Sequence, residues 1–259
     1  MDITQAELVK MLLIVCPLVF FAGFVDSIAG GGGIITMPAY VIAGLPMHYA
    51  YGCNKFSSVF TTLTSSVNYI RHGFVKYRAA LPAAVMALCG SSVGAKTALL
   101  LDEKTLRIVL LVTLPCVAAF LLFRKGSKEE GEEKFIGNKI ILPAGVIGLC
   151  CGFYDGFFGP GTGTFLIMAF TSVLGLKMID AGGTAKVANF ASNLAALTVF
   201  FTDAKVLFPL AIPAALCGVV GSYIGSKLAM KKGAAIIRPL LIVVFCLLIL
   251  KILLDLIQL

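Results

Sequence analysis

Charge is scarce in this sequence, and what charge there is leans one way. Only 13% of residues are Asp, Glu, Lys or Arg, about half the share expected of a soluble domain. Acids number 13 against 21 Lys and Arg, for a formal charge of +8. There is no Trp and there are two His (His48 and His72), with no H-E-x-x-H pattern and no Cys/His set. That removes the usual metal and thiol active sites, so the chain reads as no enzyme and calls for no cofactor or metal. The eight Cys all fall in apolar runs without a C-x-x-C pair, and are expected to be small buried hydrophobes. No long polar segment remains for a separate soluble domain, and no basic stripe exists to carry nucleic acid.

What the sequence has instead is apolar length. Hydrophobic residues make up 59%, and mean hydropathy is +1.00. This is the composition of an all-α polytopic membrane protein. Segments are expected at 8–29, 34–46, 48–70, 79–100 and 105–124, then at 139–158, 162–175, 179–201, 205–229 and 235–257. The 34–46 and 162–175 segments are shorter than the roughly 20 residues a full span needs, which suits half-helices in broken or re-entrant hairpins. The apolar stretch Met11–Phe24 lacks the basic flank of a signal peptide and is expected to stay as a membrane segment.

The chain says most things twice. Gly23-x-x-Asp26-Ser27-x-x-Gly30-Gly31-Gly32-Gly33 is echoed by Gly152-x-x-Asp155-x-x-x-Gly159-Pro160-Gly161-Thr162-Gly163. Beyond these motifs 131 residues separate matching positions: Gly52 and Gly183, Lys55 and Lys186, Pro82 and Pro213, Gly90 and Gly221, Gly94 and Gly225, Lys96 and Lys227, Arg107 and Arg238. Two interrupted hydrophobic segments at corresponding places in two halves point to the binding site of a transporter. One transmembrane domain over 1–259 is expected, with repeat 1 over 8–124, a cytoplasmic linker over 125–138 and repeat 2 over 139–257. Basic residues crowd the 71–78 loop, the linker and the 227–238 turn. Putting all three in the cytoplasm makes the two repeats of about five segments inverted and leaves both termini outside. Gly90-x-x-x-Gly94 and Gly221-x-x-x-Gly225 read as close helix contacts.

Inside the apolar segments a few polar groups stand out. Lys55 lies ~10 Å into its helix, preceded by Asn54 and followed by Ser58 and Thr62 on a polar stripe, and Lys186, Asn189 and Asn193 match Lys55, Ser58 and Thr62 in the second half. Ionisable groups inside a membrane are costly and mark a cavity or a partner. Gly31, Gly32, Gly33, Gly161, Thr162 and Gly163 open half-helices whose free N–H groups and positive dipole ends would suit an anion. The glycines either let a ligand approach bare backbone or only let two helix ends cross closely. Asp26 and Asp155 either carry a coupling proton or cap the freed backbone.

These residues, with Gly52-Cys53-Asn54-Lys55 and Val187-Ala188-Asn189-Phe190-Ala191-Ser192-Asn193, resemble the TauE/SafE sulfite exporter family, also called the toluene sulfonate uptake permease family. The resemblance covers essentially the whole chain. It implies secondary-active transport of small sulfur-containing or carboxylate anions such as sulfite and organosulfonates, across a prokaryotic inner membrane. The expected partners are a small anionic substrate, the lipid bilayer and a coupling proton; oligomeric state is left open. An anion channel of the same architecture and a short-chain carboxylate transporter are the alternatives.

Overall fold

The computed structural model describes residues 4–123, 134–135 and 137–232. The expected segment 235–257 and most of the charged linker lie outside them. The described residues form nine α-helices: α1 (Gln5–Ala29), α2 (Gly33–Ile42), α3 (Met47–Arg71), α4 (Tyr77–Leu100), α5 (Glu103–Phe123), α6 (Ile141–Phe157), α7 (Thr162–Ser172), α8 (Met178–Thr202) and α9 (Phe208–Lys232). No strand occurs among them. Thr4 starts α1 with a capping box: its N–H donates to the Glu7 carboxylate at 3.0 Å, and the Glu7 N–H donates back to its hydroxyl at 3.4 Å. The α1–α2 break turns at Gly30 and Gly31, with φ of 76° and 85°, and the α6–α7 break at Gly159 and Gly161, with φ of 92° and 87°. Side chains with a Cβ rarely adopt such angles, so these glycines fix where the helices stop.

Among the described residues, four helices are long and apolar enough to cross a membrane: α1, α4, the Gly137–Phe157 stretch containing α6, and α9 through Lys231. The protein is an integral multi-pass membrane protein. α3 and α8, at 25 residues each, are as long but more polar. The packing shelters them: α3 and α8 touch each other, α9 also lies on α3, and α4 also lies on α8. Exchanging the two halves maps each major contact onto another, α4–α6 onto α9–α1, α4–α8 onto α9–α3, and α7–α8 onto α2–α3.

The two outer pairs pack backbone to backbone. A methyl group on Gly90 would overlap the Leu149 carbonyl oxygen, and one on Gly94 the Phe153 oxygen, closing α4 on α6. Gly221 and Gly225 stand in the same relation to the Phe20 and Phe24 oxygens, closing α9 on α1. The thiols depart from expectation. Cys53 is buried, but Cys89, Cys116 and Cys150 are exposed on the outside of the bundle. An apolar thiol costs little against lipid, so hydrophobicity alone did not place it inside.

Two ends of the bundle are tied by separate contacts. At one, the Met47 N–H donates to Glu103 at 2.9 Å and the Lys205 ammonium sits 5.6 Å from the Tyr49 ring centre. At the other, Lys76 pairs with Asp180 at 3.5 Å, and the Lys134 N–H donates to the Leu174 oxygen at 3.0 Å. α3 runs from the first end to the second and α8 runs back.

Leucine at Gly94 or Gly225 forces backbones apart and is expected to lower unfolding free energy by at least ~1–3 kcal/mol. Cys89→Leu, on an exposed position of the same helix as Gly94, leaves stability unchanged. Thermal melts of the detergent-solubilised variants, read as loss of the monodisperse species, check this.

Candidate functional site

The two glycine breaks meet. A methyl group on Gly33 would lie 3.1 Å from Pro160 Cα, and one on Gly163 2.9 Å from Gly30 Cα. The Thr164 hydroxyl donates to the Ala29 carbonyl at 3.0 Å. The starts of α2 and α7 are thereby brought side by side, each with the positive end of its peptide dipoles. The N–H groups of Gly33 and Gly163, one from each half, find no acceptor among the described residues.

Two ion pairs flank this crossing, and each runs from one half to the other. Lys55 of α3 holds Asp155 of α6 at 2.9 Å, with side-chain exposures of 1% and 2%. Lys186 of α8 holds Asp26 of α1 at 2.7 Å, at 1% and 13%. Buried charges need further hydrogen bonds to offset lost hydration, and these have them. Lys55 also donates to Asn193 Oδ1 at 3.2 Å, and the Ser192 hydroxyl donates to Asp155 Oδ2 at 2.6 Å. Asp26 Oδ1 accepts the Gly32 N–H at 3.0 Å, and Lys186 also donates to the Asp26 carbonyl oxygen.

The two carboxylates therefore do different work. Asp26 caps the start of α2, as one of the two sequence readings has it. Asp155 makes no backbone contact of that kind. The sequence difference lies two residues before the helix starts, where Pro160 stands in the place of Gly31. Proline cannot take the positive φ that Gly31 adopts. The second turn instead places its positive angles at Gly159 and Gly161, while the Tyr154 hydroxyl ties down the Pro160 oxygen at 2.6 Å.

A partly open cavity lies against both breaks. Every residue singled out in the sequence as a binding candidate lines it except Lys186, which Asp26 holds outside the lining. Asp26 and Asp155 line it too. Sequence reasoning passed over Thr36 and the apolar floor of Val19, Ala22 and Gly23, and left Ser57, Thr61 and Gly159 out of the final candidates. Ser57 and Thr61 belong to the polar run of α3, but the spacing taken from Lys55 selected only one face. Thr36 carries the only hydroxyl in the first turn of α2, and donates it to Asn54.

The glycines have structural duties as well. A Cβ on Gly32 would lie 2.6 Å from Asp26 Cβ and 2.8 Å from the Ala22 oxygen. One on Gly161 would lie 2.8 Å from Val117, at a backbone angle that disfavours it anyway. Alanine at either position would disturb the fold before it tested ligand contact.

Comparison with known proteins bears on this geometry. The family model described as sulfite exporter TauE/SafE matches residues 15–252. A probable membrane transporter protein, ORF9, of Sinorhizobium is 35% identical over 91% of this chain and 90% of its own length. The probable membrane transporter protein YfcA of Escherichia coli K12 is 33% identical over 96% and 95%. One from Haemophilus influenzae is 31% identical over 91% of each. No solved structure matches.

Lys186→Met leaves the Asp26 carboxylate without its cation and is expected to cost ~3–5 kcal/mol of stability. Adding Asp26→Asn removes the stranded charge and recovers a large part of that loss. A double variant as unstable as the single one would show that the pair itself is not what holds α1 to α8.

Proposed function

The chain belongs to the TauE/SafE family of membrane transporters, and from that premise we propose that it moves small anions through the cavity between the two glycine breaks. The observation that carries this reading is Lys55. Among the described residues it is the one cation lining the cavity, and the wall around it is rich in donors. The free N–H groups of Gly33 and Gly163, the hydroxyls of Ser58, Thr62 and Thr162, and the amides of Asn54, Asn189 and Asn193 surround a space that suits an oxyanion. Sulfite, organosulfonates and short carboxylates share that chemistry. Lys186 serves the site at one remove, by fixing Asp26 and through it the Gly32 backbone.

In this reading the whole chain is one transporter domain, with repeat 1 over 8–124 and repeat 2 over 139–257 inverted across the linker 125–138. The antiparallel run of α3 and α8 supports the inversion. Sidedness follows from charge. Arg71, Lys76, Arg78, Lys134, Lys139 and Lys177 gather at the Asp180 end, while the Glu103 end mixes Asp102, Glu103 and Asp203 with Lys104, Arg107 and Lys205. The basic end is cytoplasmic, in a prokaryotic inner membrane, and both termini are outside. A proton is the coupling ion.

Binding is tested on purified protein by thermal shift and calorimetry against sulfite, sulfoacetate, thiosulfate and acetate. A Lys55→Met/Asp155→Asn variant removes both members of a buried pair and strands neither, so it is expected to keep its fold and bind none of them. Affinity equal to wild type in that variant would move the site elsewhere. In liposomes, a saturable rate marks a transporter, whereas conductance linear in voltage would make the chain a channel.

Topology has its own test. Single cysteines at Ser127 and Asp203, in a background without native cysteines, are expected to react with impermeant thiol reagents from opposite faces. Reaction of both from the cytoplasm contradicts the inversion.

A further inference from the structure

The four buried charges cancel, and that poses a difficulty for any anion. Lys55 faces the cavity, but its ammonium is already engaged by Asp155 and Asn193. An anion can take it only if Asp155 lets go. We infer that Asp155 is the coupling residue of this site: a proton placed on it releases Lys55 to a monovalent anion, while the Asp26–Lys186 pair stays closed. This rests on the reading of the cavity as an anion site.

The surroundings of the two carboxylates separate their roles. Asp26 meets only donors, the Gly32 N–H on Oδ1 and the Lys186 ammonium on Oδ2. A proton added there would point at a group that cannot accept it, and would loosen the cap of α2. Asp155 meets Lys55 on Oδ1 and the Ser192 hydroxyl on Oδ2. A hydroxyl donates or accepts as needed. Protonated Asp155 therefore donates from Oδ2 to Ser192 Oγ, and the Ser192 hydrogen turns to the carbonyl one helical turn back. No polar atom is stranded. The only interaction lost in strength is the one holding Lys55.

The ammonium of Lys55 faces Gly159, where even a Cβ would come within 3.2 Å of it, so bare backbone borders the freed cation. Other ionisable groups near Asp155 are few. Tyr154 and Cys151 share its helix, and Tyr51 of α3 lies near Tyr154. From α8 come only Ser192, Asn189 and Asn193, and from α4 Ser91, which donates to the Ser192 carbonyl at 2.6 Å. Asp26 stands across the cavity, already neutralised by Lys186.

The balance is simple. One proton leaves water and forms an O–H bond on Asp155, raising the buried charge from zero to one positive. One monoanion on Lys55 returns it to zero. The cargo is a proton and a monoanion together, and its movement carries no net charge.

Methanesulfonate and acetate test this, because both stay monoanionic between pH 6 and 8 and add no titration of their own. For one linked proton, wild-type affinity is expected to tighten as pH falls, approaching tenfold per pH unit. Calorimetry in two buffers of different ionisation enthalpy should find about one proton taken up per anion. In Asp155→Asn the amide mimics the protonated acid, so binding persists, loses its pH dependence and takes up no proton. Where that variant fails to fold, Ser192→Ala serves. It removes a hydrogen bond from both forms of the acid, but the bond to the charged carboxylate is the stronger of the two, so the ionised form loses more and the affinity curve moves to higher pH. Wild-type binding that ignores pH, an Asp155→Asn variant with the wild-type slope, or an unmoved Ser192→Ala curve each overturn the inference and leave the anion site standing. Binding of neither anion at any pH removes the site, and the inference with it.

Discussion

A charge carried out of water into an apolar bundle must meet its opposite at hydrogen-bond distance, and the interior of this protein is arranged around that demand. Lys55 and Asp155 meet it once, Lys186 and Asp26 a second time, and in each pair one partner comes from each half. The exchange is what makes the halves interdependent. Neither half could bury its own lysine without the other's carboxylate. The crossing of the two glycine breaks follows from the same arrangement, because the carboxylates sit on the last turns of α1 and α6, just before the chain leaves the helix.

The placement of the helices serves those pairs. α3 and α8 carry too many polar groups to face lipid, so they need apolar helices around them, and α1, α4, α6 and α9 supply that cover. The cover is close because glycines let backbone touch backbone along α4–α6 and α1–α9. Some polar groups of α3 are then satisfied by their neighbours, while the Tyr51 and Ser66 hydroxyls find no partner among the described residues. Asn68 donates to Ser226 at 2.7 Å, Ser222 donates to the Thr61 carbonyl at 2.7 Å, and Tyr69 donates to the Ser27 carbonyl at 3.1 Å.

Much of this was legible in the sequence, since helix positions, the two breaks and the matched polar faces all follow from local pattern. Duplication read from an offset assumes that matched residues behave alike, and there it misled. Lys55 and Lys186 share a position and a burial, yet only Lys55 lines the cavity. Their partners decide this, and the partners differ through one residue, Pro160 against Gly31. That substitution changes which positions take positive φ, and so whether the preceding aspartate reaches a backbone N–H. Pairing across halves could not be read from either half alone, because no spacing rule connects Lys186 to Asp26.

Departures from symmetry elsewhere carry the same lesson further. One turn nearer the Glu103 end than Lys55, Tyr51 stacks on Phe200 with ring centres 5.9 Å apart, and Phe158 is buried in the same cluster, with Tyr154 against it. The residues at matching positions are Gly182, Tyr69, Ala29 and Val25, which leave one aromatic ring where the other side has four. On the side toward Asp180 the interior is instead hydroxyl and amide, from Ser65 to Asn68 and Ser226. A duplicated bundle with identical halves could exchange their conformations at no cost, giving two arrangements of equal energy, each the reverse of the other. Here that exchange would have to unstack large buried rings on one side and could not rebuild them on the other, where glycine and alanine stand. Two such arrangements would therefore be unequal in energy.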